Sequence, residues 1–482
     1  MKALNFARYA FITAAVGLFA TSSDAAWTYT ETNTVANGVS HGYLTDNVWT
    51  FYASRAKNST DELTVDALKG MSINPAQPAK IDFSEIENGY KVVKFVGVRN
   101  TQSPLVLYTT EFIAPDCVNL SGQEIFYRGT ENNKPIYNTT LTKIQLREDV
   151  AVTLGNDRMF CNCTYLTSFT PKKIANKTLN TDMFSGCSAL EGEFEFSECT
   201  QFNGGVFNGC SQIGGIKAEK AVIIEQSAFR NCSNLSNIVL SAAVEKISNY
   251  AFAGCSQITT EFVQGLLHKG LKQLGNSATD RKGCFQNCTG LTGSLVWNLP
   301  NLITNAVPND CFSDCTSLER VEIKSKNLVD IGSGAFQGIN AGGEVVMPKN
   351  VIKGSFGARV VWPNNTAAYS VPYPKIRLTG DVDAWLEKIK VNHYMIKKAD
   401  FENIGWDQTS ISGVTKPTYS ALLTAMGKDT TMCEITQDAG KSKVRVLDNQ
   451  VVAFIYRQTG SERMNGCWIL KKPETGFKVI VR

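Results

Sequence analysis

Apolar and polar residues alternate in short runs through the middle of the chain. The plainest run is Asn237-Ile238-Val239-Leu240-Ser241, where Ile238 and Leu240 share one face and their neighbours the other. A period of two over so few residues is that of a short strand with one buried face. The same spacing of apolar positions recurs at Phe194 and Phe196, Ile216 and Ala218, Leu295 and Trp297, Val321 and Ile323, and Val345 and Met347. A second extended piece ends at Ile247, and the tight phrase Tyr250-Ala251-Phe252-Ala253-Gly254-Cys255 then returns the chain to the start of another strand. One such coil cannot bury its own Ile, Leu and Phe, so neighbouring coils must stack at the ~4.8 Å spacing of paired strands.

The returning phrase is itself periodic. Phe160, Phe184, Phe207, Phe229, Phe252, Phe285 and Phe312 are each followed three residues later by Cys, and Phe336 by Ile339; the steps between these Phe residues are 24, 23, 22, 23, 33, 27 and 24. A period in the twenties predicts a solenoid, with one Phe and one Cys from each coil forming columns through its interior. Fourteen cysteines in an exported chain ordinarily suggest a disulfide framework. Here Cys163, Cys187, Cys210, Cys232, Cys255, Cys288 and Cys315 occupy one equivalent position per coil, which instead predicts a file of buried free thiols. Cys117, Cys161, Cys199, Cys284, Cys311, Cys433 and Cys467 lie outside that file, and Cys433 and Cys467 are the best disulfide candidates.

Ser227-Ala228-Phe229-Arg230-Asn231-Cys232-Ser233-Asn234-Leu235 and Asn249-Tyr250-Ala251-Phe252-Ala253-Gly254-Cys255-Ser256-Gln257-Ile258, each followed by or preceding an Ile-rich strand, resemble the BspA-like leucine-rich repeats. The resemblance covers about residues 155–348. It departs from the family pattern where Ile339 replaces Cys and where Met159, Met183, Val206, Cys284 and Cys311 replace the Ala before Phe. It implies a β-rich leucine-rich-repeat solenoid of parallel stacked coils and a secreted or surface protein that adheres to macromolecules of a host or neighbouring cell.

Around the repeats, the sequence predicts a signal peptide at 1–25, where Lys2 and Arg8 precede the apolar run Ala10 to Ala20 and Ser23-Asp24-Ala25 offers a cleavage site. The mature chain is expected outside the cytoplasm, with no membrane insertion. Residues 26–150 read as an N-terminal β-rich cap with some degenerate repeats, the segment from Asp82 to Val98 being either a coil or part of the cap. The solenoid runs over 151–348, a linker or irregular last coil over 349–375, and a small α+β module over 376–482. That module has helix candidates at Val382 to Val391 and Tyr419 to Met426 and strands near Lys443, Val451, Cys467 and Phe477. In the 33-residue step, Phe262, Leu266, Leu267, Leu271 and Leu274 share a helical face, which predicts a helix over Glu261 to Leu274 in place of a short second strand.

Charge narrows the partners. A formal net charge of +4, with both signs mixed along the chain, gives no footprint for nucleic acid or an anionic membrane. Glu193, Glu195, Glu219 and Glu322 project outward from predicted first strands, as the paired acids of a glycosidase would. Lys217, Arg320 and Lys324 share that face, however, so a mixed-sign solvated sheet accounts for them without catalysis. Cys284 to Cys288 and Cys311 to Cys315 have zinc-like spacing but no nearby His, and His41, His268 and His393 are isolated, so no metal, cofactor or catalytic triad is expected. Pro473-Glu474-Thr475-Gly476 resembles the core of a cell-wall sorting signal, but Lys472 stands where that signal has Leu, and the segment reads as a turn. The Asn-x-Ser/Thr triplets at Asn162, Asn231 and Asn287 fall inside the Phe-x-x-Cys turn and belong first to the repeat.

The outward face remains: Glu193, Glu195, Lys217, Glu219, Asn237, Ser294, Asn298, Arg320, Glu322 and Lys324. It is the candidate surface for an extracellular protein or glycan, and the expected function is non-enzymatic binding. The alternatives are a glycan-active enzyme built around Trp385, Trp406 and Trp468 of the C-terminal module, or a spacer. No oligomeric state is legible.

Overall fold

The structure is a computed structural model. It describes residues 26–348 apart from short stretches, the longest at 98–107 and 276–282. Beyond 348 it describes the strands Lys375–Thr379, Lys443–Leu447, Gln450–Phe454, Arg457–Thr459, Glu462–Met464 and Trp468–Lys471. The leader, both C-terminal helix candidates, the strand near Phe477, the Pro473 turn, Cys433, Cys467, Trp385, Trp406 and His393 lie outside the described residues. The chain divides into two compact units, Met1–Glu219 and Lys220–Arg482.

The first unit opens with an antiparallel meander of Thr28–Thr34, Ser40–Thr45 and Trp49–Arg55. The inward-facing Leu44, Trp49, Phe51 and Ala53 alternate with outward polar residues and are fully buried. They join Trp27, Phe83, Phe95 and Phe112 in an aromatic core, with ring centroids 5.6 Å apart for Phe51 and Phe95 and 4.9 Å for Phe95 and Phe112. After Glu62–Asp66 the pairing turns parallel. One ladder holds Glu62–Asp66, Lys91–Val96, Asn119–Ser121 and Thr153–Leu154; the other holds Ala79–Asp82, Thr109–Ile113, Lys143–Gln145 and Ser168–Thr170. Successive strands go alternately to the two ladders, so each coil supplies one strand to each. The described part of the segment from Asp82, up to Gly97, is therefore part of a coil, and parallel coils precede the first Phe-x-x-Cys phrase. They end in this unit with Thr178–Leu179 beside Gln201–Phe202 and Gly192–Glu195 beside Ile213–Ala218.

The second unit repeats the scheme. Its short ladder is Ile223–Ile224, Lys246–Ile247 and Gln273–Leu274, and its long one is Gly293–Trp297, Leu318–Ile323, Glu344–Pro348 and Lys375–Thr379, all parallel. Lys375–Thr379 also lies parallel to Trp468–Lys471, which pairs antiparallel with Gln450–Phe454. That strand forms a tight hairpin with Lys443–Leu447, in which Leu447 faces Gln450.

The aromatic file is present in both units. Phe126, Phe160, Phe184 and Phe207 stack in the first with centroids 5.7, 5.1 and 5.3 Å apart. In the second, Phe229, Phe252, Phe285, Phe312 and Phe336 follow at 5.4, 5.7, 5.5 and 5.9 Å. Beside it runs the thiol file, and its sulfurs are donors rather than filler. Cys187 donates its S–H to the carbonyl of Phe160 and Cys210 to that of Phe184, both at 3.0 Å; Cys255, Cys288 and Cys315 do the same to Phe229, Phe252 and Phe285 at 2.9, 3.1 and 3.1 Å. Each bond ties one coil to the previous one. All the described cysteines are buried and free.

The turn that joins Phe to Cys has a stereochemical signature. The residue two after Phe is left-handed in every coil, with φ between 57° and 80°, and is Asn162, Gly186, Gly209, Asn231, Gly254, Asn287, Asp314 or Gly338. Only Gly, Asn and Asp adopt this conformation cheaply. The three Asn-x-Ser/Thr triplets thus contain Asn for its backbone.

One expectation is corrected. The helix spans Thr260–Leu266, not Glu261 to Leu274, and stands where a first strand would be; the second strand survives as Gln273–Leu274. Thr259 caps the helix by accepting from the Phe262 N–H at 3.2 Å. The chain must leave the helix in time for Gln273–Leu274 to pair with Lys246–Ile247, so Leu271 and Leu274 are buried as turn and strand residues.

Candidate binding surface

In the first unit the outward face is ordered by register. Glu195 lies beside Lys173 on one side and Lys217 on the other, so base, acid and base sit at one position of three consecutive coils. The residues directly behind them, Phe194, Phe196, Ile216 and Ala218, are buried and fix the strands' orientation. Glu193 is opposite Gly215, whose lack of a side chain leaves this acid exposed beside bare backbone. Lys172 borders the face: its Nζ donates to the Glu191 carbonyl at 2.7 Å and lies 4.5 Å from the centre of the Phe194 ring. Burial pulls this ammonium below its usual range, only partly opposed by the charge of Glu191. Glu219 is exposed just past the end of Ile213–Ala218.

In the second unit Asn237 is exposed at the start of Asn237–Leu240. Arg320 and Glu322 are half-buried on Leu318–Ile323, where Arg320 is in register with Ser294 and Glu322 with Val296. Lys324, just beyond, pairs with Glu322 at 3.5 Å. The candidate residues of the first unit therefore form one group, and Arg320, Glu322 and Lys324 a group in the second, with Asn237 on a separate strand. Lys172 and Lys173 belong to the first group and were missed, because their coil lacks the Ile-x-Leu alternation that marks the others.

The acids of these groups lie among lysines and an arginine, and the described residues contain no cluster of three or more metal-ligating side chains. None of the described helices is long and apolar enough to cross a membrane. The three-residue register of Lys173, Glu195 and Lys217 offers donors and acceptors along a line, which suits many weak polar contacts to an extended surface.

Residues 130–262 and 272–358 match, in six copies, the family profile described as a BspA type leucine rich repeat region. This part of the chain is a BspA type repeat solenoid. The match begins earlier than the resemblance at 155 and covers both Phe files from Phe160 to Phe336. Two solved structures are similar to the chain. One is a leucine rich cell surface protein from Faecalibacterium prausnitzii A2-165, 16% identical over 71% of this chain and 96% of that one, with a TM-score of 0.35. The other is a leucine-rich repeat protein from Bacteroides ovatus ATCC 8483, 14% identical over 66% of this chain and 96% of that one, with a TM-score of 0.31. Likenesses this distant carry no argument about function. No curated protein matches the chain. The BspA type repeats suggest a repeat-based binding or adhesion role.

Proposed function

We propose that this chain is an exported, non-enzymatic binding protein whose BspA type repeats recognise an extracellular protein or glycan, in the service of adhesion. The observation that supports the reading best is the alignment of Lys173, Glu195 and Lys217 on successive coils. Charges repeated at the ~4.8 Å step of paired strands form a rigid template, and mixed sign along it gives specificity rather than bulk electrostatic attraction. Glu193 and Glu219 extend the first group; Arg320, Glu322 and Lys324 form the second, and Asn237 adds a polar position on a separate strand.

The test passes the full chain over glycan and extracellular-protein arrays beside two double variants, Glu193→Lys with Glu195→Lys and Arg320→Glu with Lys324→Glu. At least one pair is expected to weaken the strongest interaction about tenfold, the loss of one or two charge-assisted contacts, with unfolding unchanged. Interactions indifferent to both pairs, or hydrolysis of an arrayed glycan, would refute the reading.

A further inference from the structure

The face of the opening meander that points away from the core has a chemistry unlike that of the charged groups on the solenoid. Burial alternates along Ser40–Thr45 and Trp49–Arg55, so His41, Tyr43 and Thr45 of one strand share the outward side with Thr50, Tyr52 and Ser54 of the next. Register sets Tyr43 opposite Tyr52 and Thr45 opposite Thr50, and Ser72 of Met71–Ile73 follows Thr50 across the next pairing. Two aromatic rings thus sit within a field of hydroxyls, and none of these residues is a carboxylate, Lys or Arg.

The two rings are held differently. Tyr52 is fixed: its hydroxyl and His41 Nδ1 share a hydrogen bond at 2.5 Å, the His41 ring stacks on it at 5.7 Å, and the Lys69 ammonium lies 5.2 Å from its ring centre. Asp66 balances Lys69 at 3.7 Å, so the border of the face carries no net charge there. Tyr43 stands edge-on to Tyr52, with centroids 6.2 Å apart and an interplanar angle of 87°, and is 46% exposed. The pair makes a corner that Gly70 keeps open, since a Cβ at that position would lie 3.5 Å from Tyr52 Cβ and 3.9 Å from Tyr43 Cε1. The Gly70 carbonyl accepts the Tyr52 N–H at 2.9 Å, which holds the floor of the corner in place.

The geometry points to the corner of Tyr43, Tyr52 and Gly70 as a subsite for a neutral hexose unit of an extracellular glycan, with Tyr43 as the stacking platform and the Thr45 and Thr50 hydroxyls alongside. The C–H groups on one face of a pyranose are apolar and weakly positive, and they pack on the negative face of an aromatic ring. Its hydroxyls both donate and accept, as those of Thr and Ser do. Charge complementarity selects an uncharged ligand: Asp66 already answers Lys69, whereas the alternation of Lys173, Glu195 and Lys217 favours a charged partner. The subsite precedes the matched repeats, which begin at residue 130, so it goes beyond the proposed function and does not rest on it.

The test titrates the full chain with cellohexaose, mannohexaose and N-acetylchitohexaose, beside hexagalacturonate as the charged counterpart, using calorimetry and saturation-transfer NMR. At least one neutral hexasaccharide should bind. Tyr43→Ala should weaken that binding about tenfold or more while Tyr43→Phe stays within about threefold of the parent, because the ring and not its hydroxyl carries the contact. Tyr43→Ala, at a half-exposed position, should unfold as the parent does. Gly70→Leu, which fills the corner without removing a ring, should weaken binding as Tyr43→Ala does. No binding of any neutral sugar, binding indifferent to Tyr43→Ala, equal losses for Tyr43→Ala and Tyr43→Phe, or preference for hexagalacturonate would each overturn the assignment. So would sensitivity to Tyr43→Ala only among protein partners on the arrays. The two charge double variants should bind the neutral sugar as the parent does, so failure here is distinguishable from failure of the solenoid reading.

Discussion

Truncating Phe184 to Ala should break the first unit locally before it breaks the rest. Phe184 is fully buried. It stacks on Phe160 at 5.1 Å and Phe207 at 5.3 Å, meets Phe169 edge-on at 5.5 Å and lies tilted 6.1 Å from Phe194. Removing a buried ring costs about 3–5 kcal/mol in lost transfer and cavity terms. The aromatic pairs are worth about 0.5–1.5 kcal/mol each beyond area, so a site with three close partners belongs at the upper end, near about 5 kcal/mol. In a solenoid each coil is supported only by its neighbours, and a loss of that size rivals the whole stability of a typical domain, about 5–15 kcal/mol. Urea unfolding followed by circular dichroism should therefore split, with an early transition absent from the parent. Segment-resolved hydrogen exchange should show residues 158–210 opening first. Phe184→Leu, which keeps most of the volume, should cost only about 1 kcal/mol. A single unsplit transition with a loss under about 1 kcal/mol would show that the stacked rings do not hold the coils together.

Two further outcomes follow from burial. The half-buried carboxyl of Asp310 is pushed up to about 6 by burial and then by the charge of Asp314. Between its unfolded value near 4 and this folded value, the native chain holds a proton that the unfolded chain has lost, so the group's contribution to stability falls as pH rises through that window. Asp310→Asn should match the parent at pH 4 and be more stable by about 1–2 kcal/mol above pH 7, after allowing for solvent screening; equal stability differences at both pH values in thermal unfolding would count against this. Burial also pushes the thiols of Cys117 and Cys199 up to about 11 and that of Cys315 up to about 12. Iodoacetamide at pH 8 should leave the twelve described cysteines untouched in the folded chain and label all of them in guanidinium, as counted by mass spectrometry. Rapid labelling of the folded chain, or unlabelled pairs after unfolding, would contradict the buried thiol file.

The Phe and Cys files were legible because each recurs at one position under the same steric demand. What the sulfur does was not: the acceptor is a Phe carbonyl one coil earlier, and nothing in the residue order marks it. Phe126 stacks on Phe160 at 5.7 Å but escaped notice because Gly129 stands where the Cys should be. The coils between Glu62 and Leu154 were obscured for a related reason, since their strands share a backbone pairing and no common phrase. The helix was misplaced because the apolar spacing from Phe262 to Leu274 fits one long helix, whereas Gln273–Leu274 is too short to announce itself as a strand. On the outward face, alternation identified Glu195 and Lys217, but Lys173 becomes meaningful only once three coils are in register.

The S–H to carbonyl link has a consequence for how such a chain changes length. Within each unit the thiol of one coil reaches back to the Phe carbonyl of the coil before it, and each Phe rests on the next, so these junctions in the file present the same half-contacts. Excising the stretch from Met183 to Gly205 would bring Cys210 opposite the Phe160 carbonyl that Cys187 now occupies. Recombination between repeats in the coding sequence can thus lengthen or shorten the protein in whole coils, each new junction finding a donor and an acceptor already waiting.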